Sequence, residues 1–241
     1  MSLSRVQQIL ADLVDVPGET ETLPDQLCVA CADALPVNGV GLAFMSAADD
    51  HGGAIAATDG PARTMEILQL DLGEGPCVDA SRDARPVLQT DLARTGPTRW
   101  PAFGPAALGA GISAIFAFPL QVGAIRLGVL DLYRDTIGEL DDEELVIALA
   151  YADAATVLLL HLQGSTELGS GLHPQLSDPI EDRPEVHQAT GMISVQSAVG
   201  LADALLLLRA NAYATSRPTT EVADDVVRRR MRFVPEDDHH E

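Results

Sequence analysis

The stretch ISAIFAFPLQVGAIRLGVLDLYR, residues 112–134, decides the fold. Two apolar runs of strand length, Ile112–Gln121 and Ala124–Arg134, flank the tight turn Val122-Gly123, a pattern that predicts an antiparallel hairpin. Downstream, Asp141–Gln163 predicts a long helix whose first turn is acidic, as the helix dipole favours. Upstream, Leu23, Leu27, Ala30, Cys31 and Ala34 stand at helical spacing and predict a helix over 19–35, ended by Pro36 and Gly39. Val40–Met45 reads as a strand, the cluster Asp49–Gly53 as a turn, and Ala54–Thr58 as the hairpin partner. Residues 61–83 read as short helices broken at Gly73, Gly75 and Pro76, Pro86–Thr90 as a short strand, and Trp100–Gly109 as a helix starting at Pro101. This order of elements implies an α+β fold with a central antiparallel sheet flanked by helices.

Residues 164–182, GSTELGSGLHPQLSDPIED, are punctuated by Gly and Pro and mark a linker. Three helices are expected beyond it. The first begins near Asp182–Glu185, where Asp182 as N-cap and Glu185 three residues on form a capping-box pattern. The second spans Leu201–Ala214 with Leu201, Ala204, Leu205, Leu208 and Ala212 on one apolar stripe. The third starts around Pro218–Glu221, buries Val222, Val226 and Val227, and ends in Arg228, Arg229, Arg230 and Arg232. The domain plan is therefore a sensor-sized domain at 1–163, a linker at 164–182, a small all-helical domain at 183–234 and an acidic tail at 235–241. A core that thin predicts packing on a neighbour, and a homodimer is expected.

The chain carries a formal charge of −21, and its 15 basic residues are all arginine. Residues 1–163 hold 23 acidic side chains against eight arginines, whereas residues 183–234 hold five against seven. A uniformly acidic protein would be repelled by nucleic acid; here the helical end departs from that trend. The longest apolar candidate, Ala148–Leu162, is interrupted by Asp153 and His161, so no membrane association is expected. Met1–Leu13 lacks the apolar core of a secretory signal, which places the chain in the cytoplasm, where Cys28, Cys31 and Cys77 stay reduced. Cys28 and Cys31 form a C-x-x-C in an Ala-rich helix and read as small core residues. No phosphate loop, nucleophile elbow or metal-ligand spacing stands out, so neither catalysis nor a metal is expected and the cofactor is unknown.

Leu72-Gly73-Glu74-Gly75-Pro76-Cys77, Arg99-Trp100-Pro101, Phe118-Pro119-Leu120 and Leu127-Gly128-Val129-Leu130-Asp131-Leu132-Tyr133 occur in order, and over residues 5–163 the chain resembles a GAF domain of bacterial regulators. Val186-His187-Gln188-Ala189-Thr190-Gly191-Met192-Ile193, continuing through Ala204-Leu205, Leu208-Arg209-Ala210, Glu221-Val222-Ala223 and Val226-Val227, is similar to an ANTAR domain over residues 183–232. The two resemblances imply a sensor of a small molecule or other signal, coupled to a domain that binds stem-loop RNA and so controls transcription antitermination. The sequence departs from the ANTAR pattern at Thr190, where a basic residue is frequent, and at Gln196, where Arg is frequent.

RNA hairpins call for cations against phosphates and planar groups against unpaired bases. Arg209, Tyr213, Arg217, Arg228, Arg229, Arg230 and Arg232 are the candidates, with Arg209 and Tyr213 sharing a helix face at a spacing of four. The alternative for Arg228–Arg232 is an arginine run that complements a helix dipole and stays solvated. Phe44, Cys77, Trp100, Phe116 and Phe118 are the candidates for the GAF ligand pocket, the alternative being that all five are core. Two rival functions are carried: a sensor whose helical domain binds a protein without RNA, and a thiol-based reductase using the three cysteines.

Overall fold

A computed structural model describes residues 2–14, 22–45, 51–164 and 184–233. The chain divides into two compact units, Met1–Glu181 and Asp182–Glu241.

The N-terminal unit is built on five antiparallel strands: β1 (Gly39–Met45), β2 (His51–Ala57), β3 (Val87–Gln89), β4 (Ala114–Val122) and β5 (Ile125–Arg134). Their order across the sheet is β2-β1-β5-β4-β3. The expected hairpin is β4–β5, with Val122 paired to Ile125 at its tip. Because side chains alternate along a strand, each strand sends two sets of residues to opposite faces. Val40, Leu42, Phe116, Phe118, Leu120, Leu130 and Leu132 face one core, together with the helices α1 (Ser2–Val14), α2 (Leu23–Ala34) and α7 (Asp142–Gly164). Ala43, Ile115, Ala117, Val129 and Tyr133 face the other, under the excursion formed by α3 (Pro61–Leu72), α4 (Pro76–Asp83), α5 (Leu92–Arg99) and α6 (Phe103–Gly109).

Local chemistry sets the boundaries. Thr22 and Asp25 form a capping box that starts α2: the Asp25 amide donates to Thr22 Oγ1 at 3.3 Å and the Thr22 amide to Asp25 Oδ2 at 3.1 Å. Two elements were not foreseen. One is α1; the other is α5, whose Gly96-Pro97 pair reads as a breaker, yet Asp91 caps it by accepting from the Arg94 amide at 3.2 Å. A Cβ at Gly104 would collide with the Gly96 backbone, so this glycine pair allows α5 and α6 to cross closely. Trp100 consequently closes α5, and α6 begins only at Phe103 instead of Pro101. The expected turn at Asp49–Gly53 is partly replaced by strand, since β2 already starts at His51.

One expectation, that Asp153 and His161 cut the apolar run of α7 short, is corrected. By length and composition, α7 is long and apolar enough to cross a bilayer, while half of its most apolar window is buried inside the unit. Ala148, Ala152, Ala155, Leu159 and Leu162 pack into the helical-face core, which accounts for that apolarity without a bilayer.

The C-terminal unit holds α8 (Pro184–Ser197), α9 (Leu201–Ala214) and α10 (Thr219–Val227) around Ala189, Ile193, Ala204, Leu208, Ala212, Val222, Ala223 and Val226. The Asp182 cap, most of the linker and the acidic tail lie outside the described residues. Leu208 is fully buried, and truncating a buried Leu to Ala costs about 2–5 kcal/mol. That is most of the stability of a unit this small, which at roughly 0.05–0.15 kcal/mol per residue reaches only a few kcal/mol. Leu208→Ala is expected to abolish hydrogen-exchange protection across 184–233 and leave that of β4 and β5 intact; equal loss in both units would contradict their independence.

Candidate functional site

On the excursion face of the sheet a polar cluster is enclosed by apolar residues. Asp131 lies on β5, paired with Gly41 on β1 and with Ala117 on β4, so its two flanking positions on that face carry almost no side chain. Glu66 and Gln69 come from the buried side of α3, Cys77 from the first turn of α4, and Tyr133 from β5 two residues beyond Asp131. Tyr133 donates to Glu66 Oε1 at 2.6 Å, and Gln69 Nε2 donates to the Tyr133 hydroxyl at 3.0 Å. The other end of the Gln69 amide, Oε1, accepts from the Cys77 backbone N–H at 2.8 Å, tying the start of α4 to α3. A Cβ at Gly41 would collide with the Glu66 carboxyl, so glycine makes room for that head group above the sheet.

Asp131 is fully buried, and no amide, hydroxyl or cationic donor reaches its oxygens; the groups against it are the Glu66 carboxyl and the Cys77 thiol. Burial pushes its carboxyl up to about 7. Burial, reinforced by the charge of Asp131, holds Glu66 well above the usual carboxylate range, and burial likewise raises the Cys77 thiol. No ion pair reaches either carboxyl among the described residues. One ligand atom from each of Glu66, Cys77 and Asp131 lies within 4.8 Å of the other two, a donor set able to hold a metal ion. The three donors come from three separate elements, so no spacing in the sequence marks them as a group.

Around the cluster, the family-like motifs act as braces. Asp79 accepts from Arg99 Nε at 2.9 Å, from Trp100 Nε1 at 3.2 Å and from Arg82 Nη2 at 2.6 Å. Arg99 also stacks over the Trp100 ring, 4.7 Å from its centroid, and Trp100 meets Phe103 edge-on at 6.3 Å. Glu74 Oε1 accepts from the Ala102 and Phe103 amides at 2.6 and 2.7 Å, fixing the start of α6.

The five residues expected to line one pocket divide between the two faces. Cys77 and Trp100 lie in the excursion-face core, whereas Phe116 and Phe118 point into the helical-face core and Phe44 packs against it. Strand alternation is the reason: the even positions of β4 turn away from the excursion. The cysteines are separated in the same way, with Cys28 and Cys31 in the helical-face core and Cys77 in the other, so the three are not assembled for thiol chemistry.

In the C-terminal unit Arg209 lies on α9, four residues before Tyr213, and the other five described arginines form two groups. Arg217 Nη2 meets Asp225 at 2.7 Å and its Nε meets Glu221 at 3.4 Å; Arg228 meets Asp224 at 2.7 Å, and Arg230 meets Asp225 at 3.0 Å and Asp224 at 3.6 Å. The expected arginine-tipped helix stops at Val227, and Arg229 turns the chain with φ 59°. Arg229 and Arg232 instead border a groove with Gln188, Met192, Val195 and Gln196 of α8, and neither has a carboxylate partner among the described residues. Tyr213 is exposed on α9. Thr190 is buried, its hydroxyl donating to the Val186 carbonyl at 2.7 Å, and the Gln196 side chain accepts from the Phe233 amide at 2.9 Å.

The sequence matches the GAF domain family over residues 21–159, more than half of the chain. This chain belongs to the GAF domain family. Its fold is similar to the GAF domain of an Acinetobacter phosphoenolpyruvate-protein phosphotransferase, with a TM-score of 0.51 and 11% identity, covering 70% of this chain and 98% of that one. The corresponding GAF domain from Coxiella burnetii ptsP gives a TM-score of 0.51 at 16% identity, covering 68% of this chain and 95% of that one. No curated protein matched the sequence. GAF membership gives the chain a signal-sensing domain of a kind that commonly binds small molecules; the C-terminal unit is helical.

Glu66, Gln69, Asp131 and Tyr133 of the GAF unit were missed as functional residues. Asp131 carries a signal in the sequence, an acid inside an apolar central strand, because Asp is almost never fully buried unless paired. For Asp131 the folded value of about 7 exceeds the unfolded carboxylate value of about 4. Between those limits the native state holds a proton that the unfolded chain has released, so wild-type stability falls as pH rises from about 4 to about 7. Glu66, raised mainly by its own burial, adds a decline of the same sign, so Asp131→Asn is expected to show a shallower decline and to be the more stable protein at neutral pH; urea midpoints at several pH values, taken with chelator present, would expose an error if the two slopes coincide.

Proposed function

We propose that this protein is a signal-responsive regulator in which the GAF unit takes up a ligand on its excursion face and the three-helix unit contacts stem-loop RNA, leading to transcription antitermination. The observation that carries the RNA half is the agreement between the ANTAR-like sequence and the bundle. Its apolar positions Ala189, Ile193, Ala204, Leu208, Val222, Ala223 and Val226 form the core of the unit. Arg229 and Arg232, flanking Gln188 and Gln196, offer guanidinium groups to phosphate without first breaking an ion pair with a described carboxylate. Tyr213, 64% exposed, adds a ring for an unpaired base. In this proposal the setting is the cytoplasm, where nascent RNA is made, and the form is a homodimer. An exposed row along α7, Val146, Leu149, Val157 and Leu160, suits pairing of two copies.

A second reading keeps the sensor and gives the helical unit a protein partner. It is favoured by the ion pairs that occupy Arg217, Arg228 and Arg230, and by the exposure of Val195, Leu201 and Leu206.

Gel shifts against a paired stem-loop RNA at two salt concentrations separate the two. Each phosphate contact contributes about −0.9 to the slope of log affinity against log salt for a duplex. Arg229→Ala/Arg232→Ala is expected to lower that slope by roughly 2 and to weaken binding at every sequence tested. Arg217→Ala is expected to leave the slope nearly unchanged, since Asp225 and Glu221 already occupy its guanidinium. An absence of any salt-dependent shift in the wild-type chain would reject the RNA reading in favour of the protein partner.

A further inference from the structure

Asp131 is completely buried at the centre of the GAF sheet, where no amide, hydroxyl or cationic donor reaches its oxygens and the groups set against it are the Glu66 carboxyl and the Cys77 thiol. Buried carboxyls are ordinarily paired or bound to a metal, since neither water nor an apolar neighbour can satisfy them. Within reach are two further donors, the Glu66 carboxyl and the Cys77 sulfur, and the three ligand atoms lie within 4.8 Å of one another. No arginine pairs with any of them among the described residues, and the chain contains no lysine that could.

We propose that Glu66, Cys77 and Asp131 bind a divalent transition-metal ion of the zinc class, and that this ion is the ligand-receiving centre of the GAF unit. This deepens the sensor reading given above and rests on it for its biological sense. The donor set selects the ion. A thiolate is too soft for Mg²⁺ or Ca²⁺, which prefer oxygen throughout, and two carboxylates are too hard for a monovalent soft metal. Zinc-class ions accept both, at about 2.3 Å to sulfur and about 2.0–2.2 Å to oxygen, so tetrahedral ligand atoms stand roughly 3.5 Å apart. The cluster is close enough to contract to that spacing through side-chain rotation. On binding, the Cys77 S–H bond gives way to an S–metal bond and the thiol proton leaves to solvent, as does any carboxyl proton; no oxidation state changes.

Three protein donors leave a fourth position open, the arrangement of a site that takes up an exogenous group and not of one that only braces a fold. The surroundings suit that role. The Tyr133 hydroxyl, held by Gln69, hydrogen-bonds to Glu66 Oε1 at 2.6 Å and would orient that carboxylate behind the ion. Gly41 leaves room above the sheet for the Glu66 carboxyl beside Asp131.

Cobalt(II) is the probe, because a thiolate bound to it gives a charge-transfer band in the near ultraviolet that surface carboxylates and histidines cannot produce. The full chain, freed of metal with chelator, is loaded with Co²⁺ and dialysed against excess Mg²⁺. The expected result is about one Co²⁺ per chain with a thiolate band that Zn²⁺ displaces. Cys77→Ser is expected to abolish the band, Asp131→Asn to weaken Co²⁺ affinity roughly tenfold or more, and Cys31→Ser to retain it. Far-ultraviolet dichroism confirms that each variant is folded, and the wild-type measurement stands even if one is not. A folded wild-type chain without the band, a band that survives Cys77→Ser, or an affinity unchanged in folded Asp131→Asn would each overturn the assignment. The readout involves no RNA, so failure of metal uptake leaves the regulator reading intact, and failure of RNA binding leaves the metal site intact.

Discussion

A carboxyl at the middle of a strand buried on both faces is the constraint on which the N-terminal unit turns. Every residue of β5 from Leu127 to Arg134 is buried, and Asp131 is the one acid among them. Such a group cannot be hydrated and cannot be neutralised by a lysine the chain does not have. The structure instead surrounds it with groups that burial holds toward their protonated forms: a second carboxyl, a thiol and a phenol. Two carboxyls so close in a low dielectric cannot both ionise easily, so the metal-free cluster retains protons at neutral pH. The excursion face therefore carries this buried ionisable cluster, whereas the opposite face is an apolar contact with α1, α2 and α7.

The motifs that make the GAF resemblance visible do a different job from the cluster they enclose. Glu74 fixes the start of α6, and Asp79 gathers Arg82, Arg99 and Trp100. These contacts hold the excursion over the sheet at a set height. Trp100, whose indole N–H is already committed to Asp79, is therefore a support for the cover and not an open wall of a pocket. A ligand-binding fold needs such fixed cover, because donors brought from three elements converge only if those elements are held in register.

How much of this could be read beforehand follows from the range of the forces involved. The β4–β5 hairpin, the breaks at Gly73 and Gly75, and α9 were legible because turn chemistry and apolar period are local. α5 was not, since Gly96-Pro97 signals a break, whereas the Asp91 cap and the close crossing at Gly104 accompany a helix there. The pocket residues failed to converge for a related reason: aromatic character marks burial but not which face of β4 a residue occupies. Phe116 and Phe118 are two apart, so they share a face, and that face was fixed by the register with β5. Glu66 and Asp131 are 65 positions apart in the sequence, and no periodicity relates them.

The C-terminal unit shows why a charge count is a poor guide to a surface. Over residues 183–234 arginines outnumber acids seven to five, yet Arg217, Arg228 and Arg230 are opposed in space by Glu221, Asp224 and Asp225, which leaves that side electrically balanced. The excess survives where the chain reverses after α10. The left-handed turn at Arg229 separates it from its neighbours, and Arg229 and Arg232 reach the α8 side, where Gln188 and Gln196 add polar groups without opposing charge. Thr190, being buried, would not have presented a basic replacement to solvent without rearrangement, so its departure from the ANTAR pattern removes little from this surface. Any phosphate contact made by this unit then depends on two arginines placed by backbone geometry more than on the length of the arginine run, and the affinity such a pair supports is modest unless two copies act together.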